Sequence, residues 1–256
     1  MIHNTAIVSS KAEIDSSVQV GPYSIIDDDV KIDEGTIIES HVVIKKNTII
    51  GKNNHIFQFA SIGEIPQDLK FVGEESTLVV GDNNTIREYC TLNRGTEKGI
   101  NKTSIGNHNL FMAYTHVAHD CIVSNNCIFS NAASLAGHVE ISDYVTLGGF
   151  TLVHQYCVLG EYAFSGLWTV ISMDVTPYTL VAGNHAQAYK INSAGLKRKG
   201  FDSDTISALE KAFKIFIKSK HSREEAMKTY KKLNLTYTEV DNFIRFIENS
   251  SRGVTR

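Results

Sequence analysis

Three histidines trail three apolar residues set eighteen apart: His119 comes two after Val117, His138 three after Leu135 and His154 one after Val153. In a chain that coils with eighteen residues per turn, these side chains project near one corner of three successive coils. Hydrogen-bonded strands lie about 4.8 Å apart, so the three imidazoles line one groove. His116 and Asp120 flank the first of them. Imidazole titrates near neutrality and takes a proton from a hydroxyl, while a carboxylate beside it orients the ring and stabilises its charged form. Two chemistries fit. One is general-base acyl transfer, with a histidine activating an acceptor hydroxyl and a glycine N–H, such as that of Gly137, receiving the oxyanion. The other is a zinc site, since three histidines plus water form a known catalytic set. A scaffold with corner histidines and no activity is a third reading.

The element able to hold such a corner shows as a six-residue beat. Every sixth residue from Ile105 reads Phe111, Val117, Val123, Phe129, Leu135, Ile141, Leu147, Val153, Leu159, Ser165 and Ile171, apolar at every step but Ser165. Four residues after each, from Phe111 on, stands something small or β-branched, Thr115 through Val175. A helix repeats at 3.6 residues and a strand at 2, so a period of six with two inward positions fits neither. It fits a parallel β-solenoid of short strands joined at corners. The beat also runs from Ile2 to Ile62, eleven apolar hits that a chain 42% hydrophobic gives by chance roughly once in 10⁴ trials. Val80, Ile86 and Leu92 keep the phase after a gap and Ile105 arrives one residue late, which predicts loops leaving the solenoid near 63–79 and 95–104. Gly21, Gly35 and Gly51 are expected to ease corners that need unusual backbone angles.

In the first of those loops Pro66 breaks the strand pattern, and Gln67, Asp68 and Lys70 cluster beside it. Loops on a rigid scaffold commonly carry binding residues, so this one is a site candidate. From Lys197 the period turns helical: Ile206, Leu209, Phe213, Phe216 and Ile217 follow an N-cap at Asp202 or Ser203. Ser222 offers a second start, and Val240, Phe243, Ile244 and Ile247 mark a third helix. The expected division is a β-solenoid over 1–190 and a C-terminal helical domain over 191–256, whose helices cover the solenoid's open end.

A composition with 21% charged residues is that of an ordinary soluble protein. An apolar run of about 18 residues and a secretory leader are both missing, so the expected compartment is the cytoplasm. Cys90, Cys121, Cys127 and Cys157 all fall on the small inward position and form no CxxC pair, which reads as core packing in a reducing compartment. Residues 1–195 carry 11 Lys+Arg against 20 Asp+Glu, a charge of −9, and residues 196–256 carry 14 against 8, or +6. A basic end of that kind attracts an acidic protein, a nucleotide phosphate, a membrane surface or nucleic acid.

Several segments taken together, in order, resemble the UDP-N-acetylglucosamine O-acyltransferases, which carry out the first step of lipid A biosynthesis. They are Pro66-Gln-Asp-Leu-Lys70, His116-Val-Ala-His119-Asp120-Cys, Ala136-Gly-His138-Val, His154-Gln155-Tyr-Cys, Ala182-Gly-Asn-His185-Ala and Gly195-Leu-Lys-Arg-Lys-Gly-Phe201. The resemblance implies a left-handed parallel β-helix with a C-terminal helical domain, a homotrimer, and active sites between subunits. It implies transfer of a 3-hydroxyacyl group from acyl carrier protein to the 3-hydroxyl of the sugar nucleotide, with no metal and no cofactor beyond the carrier's phosphopantetheine. By motif His119 is the general base, Asp120 its orienting partner and Gly137 the oxyanion donor. Asp68, Lys70, His116 and His138 hold sugar and diphosphate, Gln67, His154 and Gln155 line the groove, and Asn192, Arg198 and Lys199 reach the nucleotide or the phosphopantetheine arm. The acidic carrier is then the partner of the basic end.

Two positions depart from the family pattern. Ala194 stands where Glu is usual, removing one polar nucleotide contact, and Asn93 stands where His is common. The rival readings are another hexapeptide-repeat acyltransferase, a trimeric zinc solenoid of the carbonic anhydrase type, and a bare scaffold. Among the first is the sister N-acyltransferase, which has an added N-terminal domain not expected here because the beat starts at Ile2.

The segment Phe164 to Trp168 coincides with the one that ends the acyl tail in this family, where long-chain enzymes have glycine at the position of Leu167. From His119 to Leu167 is 48 residues, about 2.7 coils or about 13 Å along the axis. An alkyl chain advances roughly 1.25 Å per carbon, which predicts acyl chains of about ten to twelve carbons.

Overall fold

The computed structural model describes residues 1–219, 221–233 and 236–256. Residues 7–182 wind into a left-handed parallel β-helix with three flat faces, and among the described residues the sheets hold nine, eight and ten strands, the tenth of the third sheet lying beyond residue 182. Most strands are two residues long, and their registers advance by one coil of eighteen, as in Ile7 opposite Ile25 and Val117 opposite Leu135. A dipeptide strand turns one side chain in and one out, so each hexad supplies one inward strand residue and one inward corner residue. The result is a continuous core in which Ile26, Ile44, Ile62, Leu92, Val117 and Leu135 stack on the first face, all buried. Each such burial contributes roughly 1.5–3 kcal/mol. Ser165, the break in the beat, is buried too, and its hydroxyl is satisfied by Thr151 Oγ1 at 2.8 Å and Gly148 N–H at 3.0 Å. All four cysteines are buried and unpaired.

The corners differ from the glycine expectation. Among the described residues twenty-one non-glycine residues take the left-handed conformation with φ from 53° to 67°. Asn and Asp tolerate it, and at the corners between the third and first faces aromatic side chains stack from coil to coil, Tyr23, His41, Phe59, Tyr89 and Tyr114 at 5.0–5.2 Å. Of the three glycines singled out, Gly35 alone has a positive φ. Gly21 and Gly51 are required by close approach: a Cβ would come 2.7 Å from the Glu39 carbonyl carbon in one case and 2.9 Å from that of Gly81 in the other.

Two loops leave the helix, and both leave from the same corner, between the first and second faces. The strand ladder pairs Ile50 with Val80 and Val80 with Ile105, so the loops insert 12 and 7 residues beyond the usual coil of 18. Strands Ser61–Glu64, Thr77–Val80, Thr91–Asn93 and Lys102–Ile105 run into their roots, leaving 65–76 and 94–101 outside.

The third sheet ends in an element the beat gave no hint of: Thr179–Ala182 pairs antiparallel with Gln187–Ile191. Among the described residues four helices follow, α1 Ser193–Arg198, α2 Ser203–Phe213, α3 Arg223–Lys231 and α4 Thr238–Asn249, with a π-helical turn Lys214–Lys218 continuing α2. Asp202 caps α2 through its Oδ1, Ser222 and Glu225 form a capping box on α3, and α4 buries Val240, Phe243, Ile244 and Ile247. α2 packs on the last strand and on α4, covering the sheet edge. The short α1 was not anticipated. Among the described residues no helix is long and apolar enough to cross a membrane.

Candidate active site

Counting eighteen from Asp120 along the coil lands on His138 and then on Tyr156, while counting from His119 lands on Gly137 and then on Gln155. Register alone therefore sets a histidine over a glycine and a carboxylate under a second histidine. The His119 Nδ1–H donates to Asp120 Oδ2 at 2.8 Å, which in a neutral ring leaves the proton off Nε2. His119 is 14% exposed and Asp120 fully buried. His138 stands edge-on to His119 at 5.0 Å, with its Nε2 3.9 Å from Asp120 Oδ2, and its ring stacks on Tyr156 at 4.4 Å.

Gly137 lies against the base. A Cβ there would sit 2.5 Å from His119 Cε1 and 2.7 Å from Nε2. Its N–H has no acceptor among the described residues, so an unpaired hydrogen-bond donor belongs to the residue that lies against the imidazole. His116, on strand His116–Val117, holds Thr91 Oγ1 at 2.7 Å through Nδ1.

Burial works against ionising Asp120, but hydrogen bonds from the Thr96 hydroxyl, His119 and the Thr96 N–H win and hold its carboxyl below the usual range. Burial pushes the His116 and His138 imidazoles down, helped by the nearby His119. Both shifts favour the neutral imidazole at pH 7.

His119, Asp120 and His138 offer three ligand atoms within 4.8 Å of one another, which raises the question of a cation. Asp120 already accepts from Thr96 N–H and Oγ1–H, Ile100 N–H and His119. A carboxylate so occupied suits a hydrogen-bonded base better than an ion. The three-histidine column does not form either. His154 is exposed, its Nδ1 bonds the Gln155 carbonyl at 3.1 Å, and Tyr156 takes the rung above His138.

The other expected site residues are divided among the corners, some at the base corner and some away from it. Gln67, Asp68 and Lys70 ride the 65–76 loop at the base corner, where the Asp68 charge acts on His138. Gln67 and Lys70 are exposed. Asn192 lies on the corner between the second and third faces; it caps α1 by accepting from Gly195 N–H and donates to the Tyr162 carbonyl at 3.2 Å. Arg198 is exposed, and Lys199 Nζ sits 4.7 Å from the Tyr144 ring on that same corner. Phe164 is on the third face. Leu167, 70% exposed, and Trp168, stacked on Phe150 at 4.3 Å, stand at the corner between the third and first faces. The distance from His119 to Leu167 within one chain thus has a lateral component that axial counting omits. Asn93, the family departure, is buried and ties the Glu64 and Ile65 carbonyls at the root of the first loop.

Three participants escaped the sequence: Thr96 and the Ile100 N–H, which hold Asp120, and Tyr156, which backs His138. The one-residue phase slip before Ile105 was the only trace of the loop that brings the first two.

A family model for the bacterial transferase hexapeptide (six repeats) matches residues 11–46, and one for UDP-N-acetylglucosamine O-acyltransferase, domain 2, matches 174–255. An acyl-(acyl-carrier-protein)–UDP-N-acetylglucosamine O-acyltransferase from Herminiimonas arsenicoxydans is 47% identical over 100% of this chain and 99% of its own. Solved structures of LpxA from Acinetobacter baumannii and of UDP-N-acetylglucosamine O-acyltransferase from Moraxella catarrhalis are 46% and 43% identical. Each superposes with a TM-score of 0.96 over 100% of this chain and 99% of its own. With that likeness running the full length of the chain, through the coils that carry His119, Asp120 and Gly137, the protein belongs to the UDP-N-acetylglucosamine O-acyltransferase family.

Proposed function

We propose that this chain transfers a 3-hydroxyacyl group from acyl carrier protein to the 3-hydroxyl of UDP-N-acetylglucosamine, the first step of lipid A biosynthesis. The observation that carries it is the His119–Asp120 pair over Gly137: a base with a free Nε2 beside an unpaired N–H. His119 Nε2 takes the proton of the sugar hydroxyl as its oxygen attacks the thioester carbonyl. The Gly137 N–H receives the oxyanion. Collapse expels the phosphopantetheine thiolate, which recovers the proton from His119. Neutral His116 and His138, with Asp68 and Lys70, hold the sugar and diphosphate, and Gln67, His154 and Gln155 line the groove. These groups complete the reaction without a metal, and the pantetheine arm arrives with the carrier. A carrier-bound thioester and a sugar nucleotide as substrates support a cytoplasmic reaction, and the +6 helical end supports recruitment of the acidic carrier.

The distribution over corners supports a homotrimer with sites between subunits. Asn192, Arg198 and Lys199 belong to a corner that His119 does not share, so the two sets meet only when one subunit's base corner faces the next subunit's third sheet. A cyclic trimer does this three times over. With the coil axes parallel to the threefold, axial heights carry across the seam, and Leu167 of the adjacent copy lies about 13 Å along the axis from His119. Donors of ten to twelve carbons are therefore the expected preference, and Leu167→Gly is expected to move it to longer chains. A series of 3-hydroxyacyl donors on both proteins checks this; an unmoved preference would remove Leu167 from the role.

The test of the function is incubation with 3-hydroxyacyl carrier thioesters and UDP-N-acetylglucosamine. An ester at the 3-hydroxyl is expected. Recovery of both substrates intact, across donor lengths, would end the proposal.

A further inference from the structure

The 94–101 loop reaches the base from behind. Thr96 is 4% exposed. Its hydroxyl donates to Asp120 Oδ2 at 2.7 Å, and its N–H is shared between the two carboxylate oxygens at 3.1 and 3.2 Å. The Ile100 N–H donates to Oδ1 at 3.0 Å. Gly99 allows this approach, because a Cβ there would overlap the carboxylate, and its N–H ties back to Thr96 Oγ1 at 3.1 Å. The oxygen that receives the Thr96 hydroxyl is the same Oδ2 that accepts from His119.

We propose that Thr96 is a positioning residue of the reaction: its hydroxyl fixes Asp120 Oδ2 on the His119 Nδ1–H and limits how strongly the carboxylate draws on that proton. The inference rests on the base role of His119 proposed above. The titratable and charged groups facing the pair are His138 one coil on, His116 beside His119, Asp68 toward His138, and the Cys121 thiol. Burial pushes that thiol up to about 12, so it stays neutral.

Without the hydroxyl, Oδ2 presents more of its charge to His119. The imidazolium is then better stabilised, and the pair takes up its proton at higher pH. A general base works unprotonated, so the acid limb of kcat/KM moves up.

The experiment is the pH profile of kcat/KM for wild type, Thr96→Val and Thr96→Ser, with Thr96→Val repeated in an Asp120→Ala background. Thr96→Val is expected to raise the acid limb by about half to one pH unit. Its plateau is expected to fall about tenfold, a fraction of what a positioned base contributes, with the sugar-nucleotide KM changed less than about twofold. Thr96→Ser is expected to restore both. With Asp120 already gone, removing the hydroxyl is expected to add nothing. Thr96→Ala carries the same forecast and replaces the Val variant where that one does not fold. An unmoved acid limb, or the same loss with and without Asp120, would overturn the role of Thr96 while leaving transfer by the wild type intact. A wild type without transfer would overturn both proposals.

Discussion

His119→Ala is expected to cut turnover by about 10²-fold or more while the chain stays folded. The His119 ring is the imidazole that lies against Gly137, and the neighbouring histidines are placed for other contacts. His116 is held by Thr91, and His138 stands edge-on to the base with Tyr156 stacked on its other side. Folding survives because the Asp120 carboxylate keeps its donors on Thr96 and Ile100. Steady-state kcat at saturating substrates, with size-exclusion and circular dichroism on the same preparation, measures both halves. Activity near that of wild type would remove the base from the mechanism. A zinc mechanism makes a different forecast, in which purified protein carries stoichiometric metal and chelators abolish turnover.

Gly137→Ala is expected to lose about 10²-fold in kcat, although it adds only a methyl group. The new Cβ would lie 2.5 Å from His119 Cε1, closer than Cβ contacts run, so the ring has to shift while its Nδ1 stays tied to Asp120. Displacing a catalytic group by about 1 Å costs on that scale. The sugar-nucleotide KM is expected to change little, since the ring moves while the loop that carries Asp68 and Lys70, the proposed binding residues, does not. A Gly137→Ala enzyme with unchanged kcat would mean that the base works from another direction.

How much of this the residues disclose depends on how local the cause is. The hexads from Ile2 to Ile171 set the inward face of every coil, and the eighteen-residue count sets Gly137 over His119, because each coil repeats the last. The same count misplaces His154. Its corner residue is Tyr156, two further on, and proximity to an inward valine does not say which way a side chain leaves a corner. The Thr179–Ala182 and Gln187–Ile191 pair ends the stack with an antiparallel strand, which no hexad predicts. Helix α1 is six residues long, too short for a period to show. Thr96 acts across 24 residues of sequence through a loop whose path depends on Gly99 passing the Asp120 carboxylate, a contact that exists only once the coils are stacked.

The claim on which the rest depends is that one site is built from the base corner of one copy and the Lys199 corner of the next. Co-expressing His119→Ala with Arg198→Ala/Lys199→Ala, each poorly active alone at limiting sugar nucleotide, measures it. Random assembly of equal amounts puts an intact base opposite an intact basic pair at about a quarter of the seams of a cyclic trimer. The co-expressed preparation as a whole is therefore expected to regain about a quarter of wild-type activity, and activity no greater than the sum of the two separate variants would contradict a site shared between subunits.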